Sequence, residues 1–241
     1  MNIALIGYGK MGHTIERIAL ERGHQIVLRV TSESRPGLSA EDLRAADVAI
    51  EFTSPESAKG NVLLCHEAGV PVVCGTTGWG DELARTQQTF KSDGRGALLY
   101  ASNFSVGVNI FFLLAQRLAE LMNGQPDYDV RIEEIHHIQK KDAPSGTAIT
   151  LAERTMAELT RKKSWVLGPA SDAAELSITA HREEGVPGTH RILYTSSVDD
   201  IEMTHTAHNR DGFALGAVLA AEFLKGKTGV FGMRDVLGLP A

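Results

Sequence analysis

The sequence has few of the features that mark secreted, membrane or nucleic-acid-binding proteins. Its 241 residues include only two cysteines, and neither is spaced as in a zinc site, so a reduced, cytoplasmic chain is expected. The net charge of -6 argues against non-specific nucleic-acid binding. The longest apolar run, 106–115, is interrupted and too short to cross a bilayer. The start of the chain shows no signal-peptide pattern.

What remains is an ordinary globular composition. Hydrophobic residues make up 43% and charged residues 22% of the chain, which is typical of a folded domain with a substantial core. The length allows one large domain or two small ones.

A strand, a glycine-rich turn, a helix and a second strand are predicted within the first thirty residues. The apolar run 3–6 precedes Gly7-Tyr8-Gly9-Lys10-Met11-Gly12. Helical spacing follows over 13–22, and residues 25–30 form the next strand pattern. This is the context in which G-x-G-x-x-G binds a dinucleotide, because the glycines let the backbone approach the pyrophosphate.

The pattern of the chain changes near residue 103. Before it, predicted strands at 48–52, 70–74 and 97–101 alternate with helices, which indicates a parallel sheet. After it, helices are predicted at 108–122, 148–162 and 213–224, and strands at 128–136, 176–182, 190–195 and 200–206. The last three strands are separated by turn residues and are expected to be antiparallel. The expected fold class is α/β, a Rossmann-like doubly wound parallel sheet, with a smaller α+β domain that has a mixed or antiparallel sheet.

Residues 134–148, EIHHIQKKDAPSGTA, hold the densest group of candidate functional residues. Histidine exchanges protons near neutral pH, so His136 and His137 are candidates for acid–base chemistry. Lys140 is a candidate proton donor or anion partner. Ser145 is a predicted N-cap, followed by Gly146 and Thr147, and such a helix start binds carboxylate or phosphate. Together they suggest an acidic substrate that is protonated during the reaction.

Other readings of these residues stay open. A zinc site at the histidine pair is one, although no cysteine or carboxylate stands at a typical ligand spacing, and we predict no metal. The second strand ends in Thr31-Ser32-Glu33-Ser34-Arg35 instead of the usual acidic residue. Hydroxyl groups and an arginine suit a 2′-phosphate, which favours NADPH or the use of both cofactors. Glu33 could still reach a ribose.

Two loops after predicted strands are further candidates for cofactor contacts. They are Gly75-Thr76-Thr77-Gly78 and Ala101-Ser102-Asn103-Phe104. Each follows the carboxyl end of a strand, where open α/β sheets bind ligands.

The chain resembles the 4-hydroxy-tetrahydrodipicolinate reductases, also called dihydrodipicolinate reductases, over nearly its whole length. The most specific block is H-H-x-x-K-x-D-A-P-S-G-T from His136 to Thr147. Further similar segments are 103–109, 187–190, 204–207, 213–217 and 233–239. The resemblance implies a nucleotide domain of residues 1–103 and 210–241, and a substrate-binding and oligomerisation domain of residues 104–209.

The resemblance also implies roles for individual residues. His136 is similar to the family's catalytic acid/base and Lys140 to its second proton donor. His137 and the turn Ser145, Gly146 and Thr147 resemble contacts to a substrate carboxylate. The cofactor contacts implied are Gly7, Tyr8, Gly9, Lys10, Met11, Gly12, Gly75, Thr76, Thr77, Ala101, Ser102, Asn103 and Phe104.

The expected substrate is a small cyclic imine with two carboxylates, reduced with NADH or NADPH and with loss of water, by a homotetramer. Two alternatives remain at this point. One is another nicotinamide-dependent reductase of an amino-acid-derived imine, such as an aspartate dehydrogenase. The other is a nicotinamide-binding sensor, which would need no acid beside an anion site.

Overall fold

The computed structural model describes residues 1–239, which form two compact units. The first consists of residues 1–106 and the chain from Arg210 onward, and the second of Gly107–Asn209. The chain begins with the elements β1 (Asn2–Ile6), α1 (Lys10–Glu21), β2 (Gln25–Val30), a short 3-10 helix (Arg35–Gly37), α2 (Ala40–Leu43), β3 (Val48–Glu51), α3 (Pro55–Ala68), β4 (Val72–Cys74), α4 (Gly80–Ser92) and β5 (Ala97–Tyr100).

The remaining elements form the second unit and then return to the first. They are α5 (Val106–Met122), β6 (Asp129–His136), α6 (Gly146–Glu158), β7 (Ser164–Leu167), β8 (Glu175–Arg182), β9 (Gly188–Thr195), β10 (Asp200–Ala207), α7 (Asp211–Leu224), β11 (Gly229–Phe231) and α8 (Met233–Val236). None of the helices within residues 1–239 is long and apolar enough to span a membrane.

The first unit is built on a six-stranded parallel sheet in the order β11-β5-β4-β3-β1-β2. Alternate residues of a strand face opposite sides, and β1 shows the consequence. Ile3 and Leu5 pack in a core with residues of α1 and α7, whereas Ala4 and Ile6 pack in a second core with residues of α3. Helices on both faces make the sheet doubly wound, as the sequence predicted.

The second unit has a mixed five-stranded sheet in the order β10-β9-β6-β8-β7. The pairs β6–β9 and β9–β10 are antiparallel, whereas β8 pairs in parallel with β6 and with β7. The expectation that residues 176–182 are antiparallel to their neighbours is therefore wrong. The turn residues after Arg182 suggest a hairpin to β9, but β6 lies between β8 and β9 in the sheet, and this insertion leaves no local trace in the sequence.

One face of this second sheet carries the core of the unit. On β6 the buried positions are Val130, Ile132, Glu134 and His136, so the inward row changes from apolar to ionisable along the strand. Val130 and Ile132 pack with Phe112 of α5 and Leu151 of α6. Glu134 and His136 follow on the same face because strand residues alternate, which places two ionisable side chains at the edge of an apolar core.

Some expected bounds differ from those of the structure. The helix predicted over 148–162 is α6, which begins at Gly146 and ends at Glu158. The short strands β7 and β11 were not predicted. β11 is only three residues long and pairs with β5, so it is too brief to give a periodic signal.

Candidate active site

The first unit has a cavity at the carboxyl ends of its central strands. It measures about 410 Å³ and is lined by residues of the loops after β1, β3 and β4 and of the first turns of α1 and α3: Gly9, Lys10, Met11, Gly12, Phe52, Thr53, Pro55, Gly75, Thr76 and Thr77. In the sheet, β2 lies on one side of β1, and β3, β4 and β5 follow on its other side, so the strand order reverses direction between β1 and β3. This is the switch point at which doubly wound sheets bind ligands.

Two glycines of the turn between β1 and α1 have different surroundings. Gly7 has a φ of 99°, and an added Cβ would lie 1.9 Å from the carbonyl oxygen of Phe52, so only glycine fits there. At Gly9 an added Cβ would meet nothing within 4 Å, so open space lies above this part of the backbone. Gly9 is also the N-cap of α1 and makes no side-chain cap, which leaves the positive end of the helix directed at that space.

A buried polar cluster supports the loops of this cavity. Glu51, at the end of β3, is fully buried and accepts hydrogen bonds from Thr53 Oγ1, from Asn61 Nδ2 at 3.3 Å and from Cys74 Sγ at 3.0 Å. The backbone N–H of Thr53 donates to Thr76 Oγ1 at 2.8 Å. These contacts join the loop after β3 to the loop after β4.

A second cavity of about 410 Å³ adjoins the glycine turn. Its lining includes Thr31, Ser32 and Arg35, together with Ile6, Gly7, Tyr8, Gly9, Val30, Thr53, Ser54 and Ser57. Glu33 is exposed and does not line it. Arg35 Nε donates to Asn61 Oδ1. The wall where an adenine ribose would be recognised is therefore hydroxylic and cationic.

These features fit a dinucleotide. The space above Gly9, the uncapped start of α1 and the two cavities beside the turn provide the approach that a pyrophosphate needs. The structure brings Gly7 to Gly12 and Gly75 to Thr77 together around the cavities. Residues 101–104 line neither cavity; Ala101 donates its N–H to Cys74 O at 3.4 Å, and Phe104 is buried in the core of the first unit.

In the second unit, the strand register brings three ionisable side chains together. Glu134 of β6 lies directly opposite His190 of β9, and His136 of β6 pairs with Arg182 of β8. The rings of His136 and His190 are 5.0 Å apart. Glu134, His136 and His190 are 0%, 7% and 5% exposed, so their interactions are little screened by water.

Ser145 joins this group to the start of α6. Its hydroxyl accepts the N–H of Ala148 at 3.1 Å, which confirms the predicted N-cap. Its Oγ is also 3.2 Å from His190 Nε2. Its own N–H donates to both carboxylate oxygens of Glu134, at 3.1 and 3.2 Å. Ser145 is thus occupied by protein partners, and the part of the helix start that can face an anion begins at Gly146, the first residue of α6.

His136 is held between opposing charges. Its Nδ1 lies 3.5 Å from Glu134 Oε2, an ion-pair distance without a hydrogen bond. Burial, followed by repulsion from His190, lowers the pKa of His136 to about 4, although the charge of Glu134 opposes the shift. For Glu134, burial alone would raise the pKa, but hydrogen bonds from His190 and Ser145 outweigh it and lower the pKa to about 2. Glu134 is therefore a carboxylate and His136 a neutral imidazole at neutral pH.

The loop after β6 holds the other predicted residues. His137 follows the last strand residue, and its carbonyl accepts the N–H of Lys140 at 3.0 Å. Lys140 Nζ is 2.9 Å from Asp142 Oδ1. Arg182 donates to the carbonyls of Lys140 and Asp142, at 3.3 and 2.6 Å. Lys140 is therefore placed by an arginine from a neighbouring strand.

Sequence reasoning assigned no role to Glu134, His190 or Arg182, although all three contact the predicted residues. His190 and Arg182 are more than forty positions from Glu134 along the chain, and only the pairing of β6 with β8 and β9 brings them together. Two signals were available: the alternation of β6, which puts Glu134 on the same buried face as His136, and the similarity of segment 187–190 to the reductase family, which includes His190.

The two units together define the class of protein. A doubly wound sheet with a dinucleotide-binding turn, and a second unit with a buried acid–base cluster beside a helix start, characterise a two-domain nicotinamide-dependent oxidoreductase. Residues 1–104 match the family model described as "Dihydrodipicolinate reductase, N-terminus", and residues 107–237 match "Dihydrodipicolinate reductase, C-terminus". The chain therefore belongs to the dihydrodipicolinate reductase family.

Relatives of known name are similar over almost the whole chain. The 4-hydroxy-tetrahydrodipicolinate reductase of Christiangramia forsetii is 53% identical over 239 residues, covering 98% of both chains. That of Myxococcus xanthus is 35% identical, covering 95% of this chain and 94% of its own. Among solved structures, the dipicolinate-bound dihydrodipicolinate reductase from Paenisporosarcina sp. TG-14 superposes with a TM-score of 0.75 over 98% of both chains, at 23% identity. This last comparison shows the shared fold.

Proposed function

We propose that this protein is a 4-hydroxy-tetrahydrodipicolinate reductase of lysine and diaminopimelate biosynthesis. It reduces a cyclic imine that carries two carboxylates, with NADH or NADPH, and the substrate hydroxyl leaves as water. The observation that carries the proposal is the cluster of Glu134, His136, His190 and Ser145 beside the start of α6, with Lys140 in the adjoining loop. Relatives named for this activity are 53% and 35% identical over nearly the full chain.

The substrate carboxylates have two complementary groups in the second unit. The start of α6 presents the positive end of a helix at Gly146. Lys140 supplies a full positive charge that is partly balanced by Asp142. Both would orient the substrate, and a fixed orientation is a large part of the rate enhancement that an enzyme can give.

His136 is the proposed proton donor. When bound, the reduced nicotinamide supplies the hydride, and the substrate must also gain a proton. The imidazole is neutral in the free protein because burial and nearby cations lower its pKa to about 4. A dianionic substrate beside it adds negative charge, which raises its pKa and lets it bind the proton that it then donates. Lys140 is the second proposed donor.

The test is an assay of freshly prepared 4-hydroxy-tetrahydrodipicolinate with NADH and with NADPH, following the absorbance of the reduced nicotinamide. Substrate-dependent oxidation is expected from the wild-type protein. His136→Ala is expected to lower turnover about a hundredfold while leaving cofactor affinity intact. His181→Ala, which removes an exposed histidine of β8, is the matched control. Cofactor binding without oxidation would favour the sensor or another imine substrate.

A homotetramer is the proposed assembly, in the cytoplasm. The second sheet packs its inward face against α5 and α6, while its other face carries partly exposed side chains such as Arg131, Arg191 and Glu202. This face is available for pairing with another copy. Light scattering after size-exclusion chromatography should give four times the chain mass of 26.0 kDa, and a monomer would contradict the proposal.

A further inference from the structure

Glu134 is a buried carboxylate to which the proposed reaction assigns no chemical step. It is fully buried, and five groups from four segments surround it. They are Ser145 N–H at 3.1 Å, Arg182 Nη2 at 3.4 Å, His136 Nδ1 at 3.5 Å and His190 Nε2 at 3.6 Å, with the Ser145 hydroxyl beyond. Burying a charge is costly unless hydrogen bonds compensate it. A carboxylate retained at this position therefore needs a reason.

Its contacts fix the start of α6. Glu134 holds the N–H of Ser145, and His190 lies 3.2 Å from the Ser145 hydroxyl that caps the helix. Glu134 and His190 are opposite each other in the β6–β9 pair, so a rigid sheet carries both. The position of the first turn of α6, and of the anion site at Gly146, is thus set by two adjacent strands.

The same carboxylate also restrains the proton donors. It is the anion nearest to His136 Nδ1, and through Arg182 it is linked to the carbonyls of Lys140 and Asp142. Hydrogen bonds from His190 and Ser145 help keep it ionised, with a pKa of about 2. The carboxylate of Glu134 therefore connects the anion site at Gly146, the imidazole of His136 and the loop after β6 that contains Lys140.

We propose that Glu134 and His190 are positioning residues, which hold the α6 start, His136 and the Lys140 loop in the arrangement that binds and protonates the substrate. The inference rests on the function proposed above, and neither residue needs to touch the substrate. Small misplacements of such groups cost large factors in rate.

A metal site is the other chemistry that these side chains suggest. Glu134, His136 and His190 offer ligand atoms that all lie within 4.8 Å of one another. However, both oxygens of Glu134 accept the Ser145 N–H, and Arg182 adds a further donor and a positive charge. A cation would displace these contacts, so the hydrogen-bonded arrangement is favoured. Activity unchanged after dialysis against EDTA is expected, and a loss that Zn²⁺ restores would overturn the positioning role.

The main test compares Glu134→Gln with Glu133→Gln. Glu133 is the next residue of β6, on the opposite face, where it pairs with Arg131 and Arg191. Glu134→Gln keeps an acceptor for Ser145 but removes the charge. It is expected to lower kcat/KM for the substrate about a hundredfold, through both kcat and KM, with the KM for the cofactor unchanged. Glu133→Gln should stay within about twofold of wild type.

A double-mutant cycle tests whether His190 acts through Ser145. His190→Phe and Ser145→Ala should each lower kcat/KM. The double variant should be no worse than the poorer single variant, because both substitutions remove the same contact between Ser145 and His190. His190→Gln, which keeps a hydrogen-bonding group, should recover part of the activity. Additive losses, with no recovery by glutamine, would contradict the inference. Melting temperatures of all variants show whether each one folds.

Binding of dipicolinate separates this inference from the proposed function. It is measured by calorimetry with cofactor present, and Glu134→Gln is expected to weaken it about tenfold and Glu133→Gln not at all. A wild-type protein that binds dipicolinate but shows no turnover would overturn the reductase proposal. In that case, the comparison of dipicolinate binding by Glu134→Gln and Glu133→Gln would still decide the positioning role. An active wild type with Glu134→Gln unaltered in both turnover and binding would overturn the positioning role alone.

Discussion

Gly188 provides the space in which the imidazole of His136 lies. Gly188 begins β9 and His136 ends β6. A Cβ at position 188 would stand 3.1 Å from His136 Nε2 and 3.2 Å from its Cδ2. Such contacts are tighter than packed side chains normally make, so the ring would have to shift. The proposed proton donor is thus positioned partly by the absence of a side chain on the neighbouring strand.

Gly188→Ala is expected to displace His136 and lower kcat/KM for the substrate about tenfold or more, because proton transfer depends on distance. The KM for the cofactor should not change. Steady-state kinetics with each substrate varied will check this. Gly124→Ala is the matched control, since an added Cβ there meets nothing within 4 Å. Wild-type activity in Gly188→Ala would show that the ring has room to adjust.

Acid should destabilise the protein in two pH windows. The pKa of His136 is about 4, below its ordinary value of 6.5, and that of Glu134 is about 2, below 4.5. In both cases the unfolded chain binds more protons, so the free energy of unfolding falls as the pH falls. Proton uptake by His136 lowers the free energy of unfolding between pH 6.5 and 4, and proton uptake by Glu134 lowers it between pH 4.5 and 2. Between pH 7.5 and pH 5 the loss through His136 is on the order of 2 kcal/mol.

Urea unfolding at pH 7.5 and pH 5, followed by circular dichroism, measures this loss. His136→Asn cannot take up the proton and should lose less stability between the two pH values than wild type. His181→Asn, at an exposed position of β8, should behave as wild type. An equal loss in all three proteins would mean that His136 titrates normally in the folded state.

The local parts of the fold and site were predictable from sequence, and the parts set by strand pairing were not. The glycine turn, the helix capped by Ser145 and the strand ending at His136 follow from residues adjacent in the chain. His190 faces Glu134 only because β6 inserts between β8 and β9. A single histidine in a strand such as β9 indicates nothing specific until the strand register is known. β8 was misjudged for the same reason.

Both thiols should be unreactive in the native protein. Burial raises the pKa of Cys65 and of Cys74, and the charge of Glu51 raises that of Cys74 further. Because the thiolate is the reactive form, Ellman's reagent should modify neither thiol under native conditions and both in denaturant. Cys74→Ala should lower the denatured count to one. Rapid native labelling would mean that the strand ends open readily, and Cys65→Ala would show which thiol is exposed.

Arg35 should favour NADPH over NADH. It lines the second cavity with Thr31 and Ser32, and Glu33 does not. A guanidinium there would form a charge-assisted contact with a 2′-phosphate, which NADH lacks. Arg35→Ala is therefore expected to lower kcat/KM with NADPH about tenfold and with NADH less than about threefold. The measurement is the ratio of the two values. Arg44→Ala, which removes an exposed arginine paired with Glu41, should leave the ratio unchanged. Equal losses with both cofactors would mean that Arg35 serves only to hold Asn61 and the loop after β2.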